Sequence, residues 1–91
     1  MAKKRERLEV IYDILKAVQD KNGKIKPTHI LYKSNLSHQM MEEYLKELLD
    51  GDFILESTDG KNKTYSLTEK GFDYFDKYKL ILEFTETFGL N

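Results

Sequence analysis

Few side chains in this 91-residue chain could do chemistry on a substrate. The chain has no cysteine, which excludes thiolate nucleophiles, disulfides and cysteine-based zinc sites. His29 and His38 lack the spacing of a metal site, and the adjacent acids Glu42 and Glu43 diverge around a helix instead of facing each other. The sequence contains no glycine-rich phosphate loop, zinc-protease motif or nucleophile elbow. We therefore expect a protein that is not an enzyme, with no metal, no cofactor and no small-molecule substrate.

Charge remains as the means of binding a partner, and it is unevenly distributed. Residues 1–38 contain nine basic and four acidic side chains, whereas residues 39–59 contain one basic and seven acidic ones, within a net charge of −1. A protein that coats nucleic acid is normally basic throughout, so any polyanion must be bound locally and in one orientation. Because the chain has neither a secretory signal nor an apolar run near the roughly 18 residues of a membrane helix, we expect a cytoplasmic protein without a membrane partner.

Apolar spacing predicts two helices in the first third of the chain. The first stripe recurs every three or four residues and consists of Leu8, Ile11, Ile14, Leu15, Ala17 and Val18. It predicts an amphipathic helix over residues 5–21, which Asn22-Gly23 would end. Lys24-Ile25-Lys26 alternates like a short strand, and Pro27 suits the first turn of a second helix over residues 28–33 that buries Ile30 and Leu31.

A third helix is predicted to begin at Ser37, whose hydroxyl can accept an N–H of the first turn. Leu36 before this cap and Met41 after it form the pair of a hydrophobic staple. The expected buried positions are Met41, Leu45, Leu48 and Leu49, with Tyr44 beside them, and the expected exposed arc is His38, Gln39, Glu42, Glu43 and Lys46. Asp50-Gly51 should end this helix with the glycine in the left-handed conformation.

The pattern then changes to that of strands. Residues 53–57 and 64–67 are rich in β-branched and aromatic side chains and predict an antiparallel hairpin, turned at Asp59-Gly60 and tipped by the basic loop Lys61-Asn62-Lys63. Thr68 is the predicted cap of a last helix that runs to about Phe88, with Gly89 as its stop. The apolar residues of this helix surround its axis, so it needs packing partners on more than one side.

This order of elements indicates a winged helix-turn-helix, a mostly α fold with a small β-hairpin (α+β). The third helix is then the recognition helix and the hairpin is the wing. We expect one structural domain in which residues 1–67 form the winged helix-turn-helix and residues 68–91 form a C-terminal dimerisation helix.

The expected partner is double-stranded DNA. Gln39 can pair bidentately with adenine, and His38 can donate to a base or a phosphate, whereas Glu42 and Glu43 repel phosphates. The predicted DNA-binding residues are Lys3, Lys4, Arg5, Lys33, Ser37, His38, Gln39, Lys46, Lys61, Asn62 and Lys63. The alternative is a protein-interaction module that binds no DNA, in which the acidic stretch 39–59 docks a basic partner.

The aromatic last helix is predicted to associate with a second copy, since a domain this small has too little interior to cover all its apolar side chains. The predicted dimer interface consists of Tyr74, Phe75, Tyr78, Ile81, Leu82 and Phe88. The alternative is a wholly internal helix that packs on the first helix.

Four segments also carry a family resemblance: Ala2-Lys3-Lys4-Arg5 before residues 8–11, Ser34-Asn35-Leu36-Ser37, Tyr44-Leu45-Lys46 and Leu67-Thr68-Glu69-Lys70-Gly71. They resemble the small archaeal winged-helix proteins that are predicted transcriptional regulators. The resemblance implies a homodimer that binds double-stranded DNA, with C-terminal helices paired as an antiparallel coiled coil, acting as a transcriptional regulator or a small chromatin-associated protein. Two features differ from that family: Glu42-Glu43 stands where a small or basic residue usually precedes the tyrosine, and the last helix is shorter.

Overall fold

The computed structural model describes residues 7–21 and 24–89 as four helices and one two-stranded sheet. In chain order the elements are α1 (Arg7–Asp20), α2 (Pro27–Ser34), α3 (His38–Asp50), β1 (Ile54–Asp59), β2 (Asn62–Leu67) and α4 (Glu69–Thr87). This arrangement confirms the predicted winged-helix fold, with its hairpin between α3 and α4. Within these residues, no helix has the length and apolar character needed to cross a bilayer.

The core is built around α1, which packs against α2, α4 and β2. Its Ile14, Leu15 and Val18 are fully buried. The buried residues that meet them from the other elements are Ile25, Ile30, Met41, Leu45, Leu48, Ile54 and Tyr65. The buried surface of α1 is wider than its stripe predicted, because α4 covers a second side on which Tyr12 stacks against Phe75 with ring centroids 5.3 Å apart.

One residue of the predicted stripe is not in the core. Leu8 is half exposed, so the prediction that it is buried is wrong. It lies in the first turn of α1 and lines an open groove with Tyr74 and Tyr78 of α4.

The turn between α2 and α3 confirms the predicted caps. Pro27 occupies the start of α2, and Asn35 ends that helix in the left-handed conformation at φ 52°. The Ser37 hydroxyl accepts a hydrogen bond from the Met40 N–H at 3.2 Å, which fixes the first turn of α3.

The end of α3 differs from the prediction by one residue. Gly51 has φ −84°, and the left-handed residue is Asp52 at φ 63°. The Asp52 N–H donates to the Leu49 carbonyl at 3.1 Å and the Phe53 N–H to the Leu48 carbonyl at 2.9 Å, the paired bonds of a Schellman motif. An aspartate therefore fills the position at which the sequence pattern suggests glycine.

The hairpin is longer and its turn tighter than predicted. β1 and β2 pair from Ile54 opposite Leu67 to Asp59 opposite Asn62, which leaves only Gly60 and Lys61 in the turn. Gly60 has φ 62°, a conformation that two-residue hairpin turns require and glycine adopts without strain. Asn62 and Lys63 thus belong to β2, and Lys61 alone among the predicted loop residues lies in the turn.

The predicted strand around Ile25 is a single antiparallel bridge to Tyr65 in β2. The Ile25 N–H donates to the Tyr65 carbonyl at 3.2 Å, and the Tyr65 N–H donates back at 2.9 Å. This bridge fixes residues 24–26 along the outer edge of β2.

α4 begins on the loop that ends α3. The Thr68 hydroxyl accepts from the Gly71 N–H at 3.0 Å, as its predicted cap role requires, and donates to the Asp52 carbonyl at 2.6 Å. The Lys70 ammonium donates to the Gly51 carbonyl at 2.8 Å. These bonds join the predicted dimerisation helix to the end of the predicted recognition helix.

Candidate nucleic-acid interface

The exposed face of α3 is the one that its sequence predicts. His38, Gln39, Glu42, Glu43 and Lys46 are all exposed. They are held outward because Met41, Leu45 and Leu48 anchor the opposite side of the helix in the core. The side chains proposed to read bases therefore stand on a rigid, buried scaffold.

Two of these side chains are already engaged with carboxylates one turn further along the helix. The Gln39 Nε2 donates to Glu43 Oε1 at 3.4 Å. The His38 Nδ1 lies 3.6 Å from Glu42 Oε1. Residues four apart are neighbours on a helix surface, so the spacing itself produces both pairs.

The start of α3 is suited to an anionic oxygen. The Ser37 hydroxyl accepts the Met40 N–H and so caps the helix, and a hydroxyl that accepts in this way can also donate its own O–H. The other N–H groups of the first turn lie at the positive end of the helix dipole and next to the exposed His38. Such a terminus is a general phosphate-binding element.

The wing exposes Lys61 at its turn and Asn62 and Lys63 at the start of β2. The Lys63 ammonium lies 3.1 Å from Glu56 Oε1 on β1. The hydrogen bond to Glu56 and the charge of that carboxylate raise the pKa of Lys63. Lys63 therefore stays charged but carries its own counter-ion.

Of the other basic residues predicted to bind DNA outside α3 and the wing, the structure describes only Lys33. Lys33 is exposed in the last turn of α2, with its ammonium 3.8 Å from Asp20 Oδ2 of α1. Lys3, Lys4 and Arg5 lie outside the described residues.

Three further exposed cations lie beside α3 or β2, and one of them, Arg7, continues the basic N-terminal stretch proposed above to bind DNA. Arg7 forms an ion pair with Glu47 and lies 5.8 Å from the ring centroid of Tyr44, so it joins the start of α1 to α3. Lys24 and Lys26 are exposed on either side of Ile25. The alternation Lys-Ile-Lys signals their exposure, but only the bridge shows where they lie.

That bridge has a defined register. Because Ile25 pairs antiparallel with Tyr65, Lys26 is level with Thr64 and Lys24 with Ser66. Lys26 is therefore the one displaced toward the wing turn.

The predicted dimer residues fall into two groups. Phe75 and Tyr78 contact Tyr12 of the same chain, with ring centroids 5.3 and 5.0 Å apart. Tyr74 packs edge-on against Phe53, and its hydroxyl donates to the Leu8 carbonyl at 3.2 Å. Leu82 is partly buried, whereas Ile81 and Phe88 are 55% and 64% exposed. Of the exposed group, Ile81 lies in the second half of α4 and Phe88 directly follows the end of that helix.

Comparison with known proteins places this fold in a family. Residues 4–86 match the family model described as winged helix-turn-helix. An uncharacterized protein of Methanocaldococcus jannaschii is 44% identical over 68 residues, which make up 75% of this chain and 29% of that protein. The chain thus spans less than a third of the length of this curated relative.

Two solved structures share the architecture. Sso10a-2, a DNA-binding protein from Sulfolobus solfataricus, superposes with a TM-score of 0.80 at 23% identity, over 92% of this chain and 85% of that one. MepR, a transcription regulator of the Staphylococcus aureus multidrug efflux pump MepA, superposes with a TM-score of 0.77 at 15% identity, over 86% of this chain and 59% of that one. The family match covers nearly the whole chain and agrees with the element order, so this chain belongs to the winged helix-turn-helix family.

Proposed function

We propose that this chain binds double-stranded DNA and acts as a transcriptional regulator. The observation that carries the proposal is the exposed polar face of α3. The buried side chains on the opposite side of α3 anchor the helix in the core, and Ser37 caps its start. α3 is followed by a hairpin that exposes Lys61 at its turn. In this fold such a helix can enter the major groove, while the wing lysines contact the phosphate backbone. The DNA-binding role of Sso10a-2 and the regulatory role of MepR support the assignment.

The test is an anisotropy titration of random duplex DNA at 50 and 200 mM salt. Removing one lysine–phosphate interaction should make the slope of log affinity against log salt less negative by about 0.9. We expect the double variant Lys61→Ala, Lys63→Ala to bind more weakly and with a flatter slope. Lys79→Ala, which removes one exposed cation from α4 and none from the wing, is the control and should change neither the affinity nor the slope. Equal behaviour of all three proteins would favour the protein-interaction module, with residues 39–59 docking a basic partner.

We further propose that the chain acts as a homodimer formed through α4. At 100° per residue, Tyr74, Tyr78, Ile81, Phe84 and Phe88 lie on one face of this helix within an arc of about 120°. Phe84 and Phe88 are 58% and 64% exposed, with ring centroids 4.9 Å apart. Monomeric proteins rarely leave so continuous an apolar face in water.

The first half of the same face holds an open groove of about 360 Å³. Leu8, Phe53, Tyr74, Tyr78 and Ile81 line it, together with Lys70, Asp73 and Lys77. The charges beside it are already satisfied, since Lys77 pairs with Asp73 at 2.9 Å and Lys70 donates to the Gly51 carbonyl. A second copy could therefore cover this face while Lys77 stays paired with Asp73 and Lys70 keeps its hydrogen bond to the Gly51 carbonyl.

Dimerisation would also strengthen DNA binding. One protomer offers only a few phosphate contacts, and two linked protomers double that number. Once the first protomer is bound, the second meets its half-site at a high effective concentration.

A further inference from the structure

Half of the described side chains proposed to touch DNA, four of eight, are paired with a carboxylate of the same chain. Four such pairs occur at the described part of the interface: Lys33 with Asp20, His38 with Glu42, Gln39 with Glu43, and Lys63 with Glu56. They connect different elements as well as neighbouring turns of α3, so spacing on one helix does not explain them all. In its described part, the interface thus combines four cations or hydrogen-bond donors that have an acid beside them with four polar residues for which no such pair is seen.

These acids weaken the attraction that any phosphate backbone would feel. A phosphate that approaches Lys63 must compete with Glu56, and one that approaches the start of α3 meets Glu42 and Glu43 as repulsive charges. In high dielectric, each like charge at about 4 Å weakens binding roughly 5-fold. Sequence-independent affinity is thereby reduced, and contacts to bases gain in relative weight.

We propose that these carboxylates make DNA binding by this chain selective for base sequence, and that Glu43 is the positioning residue that lets Gln39 read adenine. The inference rests on the proposed DNA-binding function. Sequence selectivity of this kind distinguishes a selective regulator from a protein that coats DNA of any sequence.

The proposed positioning role of Glu43 follows from the hydrogen-bonding groups of Gln39. Its amide has two N–H groups and one oxygen, and Glu43 accepts one of the N–H groups. The other N–H and the oxygen remain for N7 and N6 of adenine in the major groove. Because a carboxylate accepts hydrogen bonds and cannot donate them, Glu43 holds the amide nitrogen, and not the oxygen, on its side. The edge offered to the DNA is thereby fixed in one orientation.

The probe that tests this is an alternating A–T duplex, compared with the same duplex in which 7-deazaadenine replaces adenine and removes the N7 acceptor. We expect the wild-type chain to bind the adenine duplex roughly 10-fold more tightly, the discrimination typical of a good bidentate contact. Gln39→Ala should abolish this ratio.

Three single variants distinguish the proposed positioning of Gln39 by Glu43 from the general effect of removing a negative charge. Glu43→Gln should bind both duplexes more tightly, because a repulsive charge is removed, while the ratio between them shrinks toward one. Glu42→Gln removes an equal charge from the next residue, beside His38, and should raise affinity without changing the ratio. Glu86→Gln removes an exposed carboxylate in the last turn of α4 and should change neither quantity.

Three results would overturn the inference: a wild-type chain that does not distinguish the duplexes, a Glu43→Gln variant that keeps the full ratio, or a Glu86→Gln variant that gains as much affinity as Glu43→Gln. None of these would remove the salt-dependent contribution of Lys61 and Lys63, so the proposed DNA-binding function is judged separately. All these substitutions lie at exposed positions, and circular dichroism of each variant confirms its fold.

Discussion

A Cβ atom at Gly71 would lie 2.0 Å from the carbonyl oxygen of Phe53. The first turn of α4 therefore packs directly on the backbone that follows α3, at a distance that only glycine allows. The neighbouring residues of the Leu-Thr-Glu-Lys-Gly segment complete this junction. Leu67 packs against the core, Thr68 caps α4 and bonds Asp52, and Lys70 donates to Gly51.

Replacing Gly71 with alanine should destabilise the protein by about 3 kcal/mol or more. The added methyl group collides with a backbone carbonyl instead of a movable side chain, so relief requires α4 to shift away from the core. The free energy of unfolding, measured by urea denaturation, checks this. Asp76→Ala, at an exposed position in the middle of α4, should change stability by no more than about 0.5 kcal/mol. Equal urea midpoints for wild type and Gly71→Ala would contradict this close packing.

Thr68→Ala should cost about 1–2 kcal/mol of stability, because one hydroxyl both accepts the Gly71 N–H and donates to the Asp52 carbonyl. Thr68→Ser retains the hydroxyl and should recover most of the loss. Thermal unfolding of the three proteins provides the comparison. If serine were no better than alanine, the methyl group of Thr68, and not its hydrogen bonds, would be the stabilising element.

Phe84→Ala and Phe88→Ala should each weaken the proposed dimer roughly 30-fold or more, as expected for aromatic anchors that a partner buries. Glu83→Ala is the control, because Glu83 is exposed on the same helix but lies about 160° around the axis from Ile81, on the opposite side. Sedimentation equilibrium measures the three association constants. A monomeric wild-type chain, or equal losses for all three variants, would argue against this face.

Stability should fall as the pH rises above about 10. Burial raises the pKa values of the Tyr12, Tyr65 and Tyr74 phenols in the folded chain. The unfolded chain then loses these protons first, so the stabilisation is complete below the ordinary tyrosine pKa and is lost as the pH rises through the folded values. Urea midpoints between pH 8 and 11 test this. Tyr12→Phe should show a smaller loss over that range, and an unchanged pH dependence would exclude Tyr12 as a contributor.

The sequence predicted correctly those features that depend on interactions between residues close together in the chain. The caps at Ser37 and Thr68 and the proline start of α2 follow from hydrogen bonding within a few residues, and all three are present. The prediction was wrong at Gly51, because the chain keeps φ −84° there and the paired bonds that close α3 place the left-handed residue at Asp52. The prediction that Leu8 is buried was also wrong. The apolar stripe of a helix does not show whether an element distant in sequence covers each of its residues.

In the candidate site, too, the sequence predicts contacts along one helix but not contacts between different elements. The exposure of Gln39 and its pairing with Glu43 follow from spacing on one helix. By contrast, the pairs of Lys63 with Glu56 and Lys33 with Asp20 depend on the strand register and on how α2 meets α1, which no local pattern encodes. The position of Lys26 near the wing likewise depends on the bridge between Ile25 and Tyr65.

The junction at Thr68 and Gly71 has a geometric consequence for an operator. Since α4 starts on the loop that closes α3, two chains joined through α4 would hold their recognition helices at one separation and one angle. Duplex B-DNA turns by about 35° per base pair, so inserting or deleting a single base pair between half-sites rotates one of them out of reach. A dimer of this chain should consequently act as a molecular ruler that accepts one spacer length and rejects its neighbours.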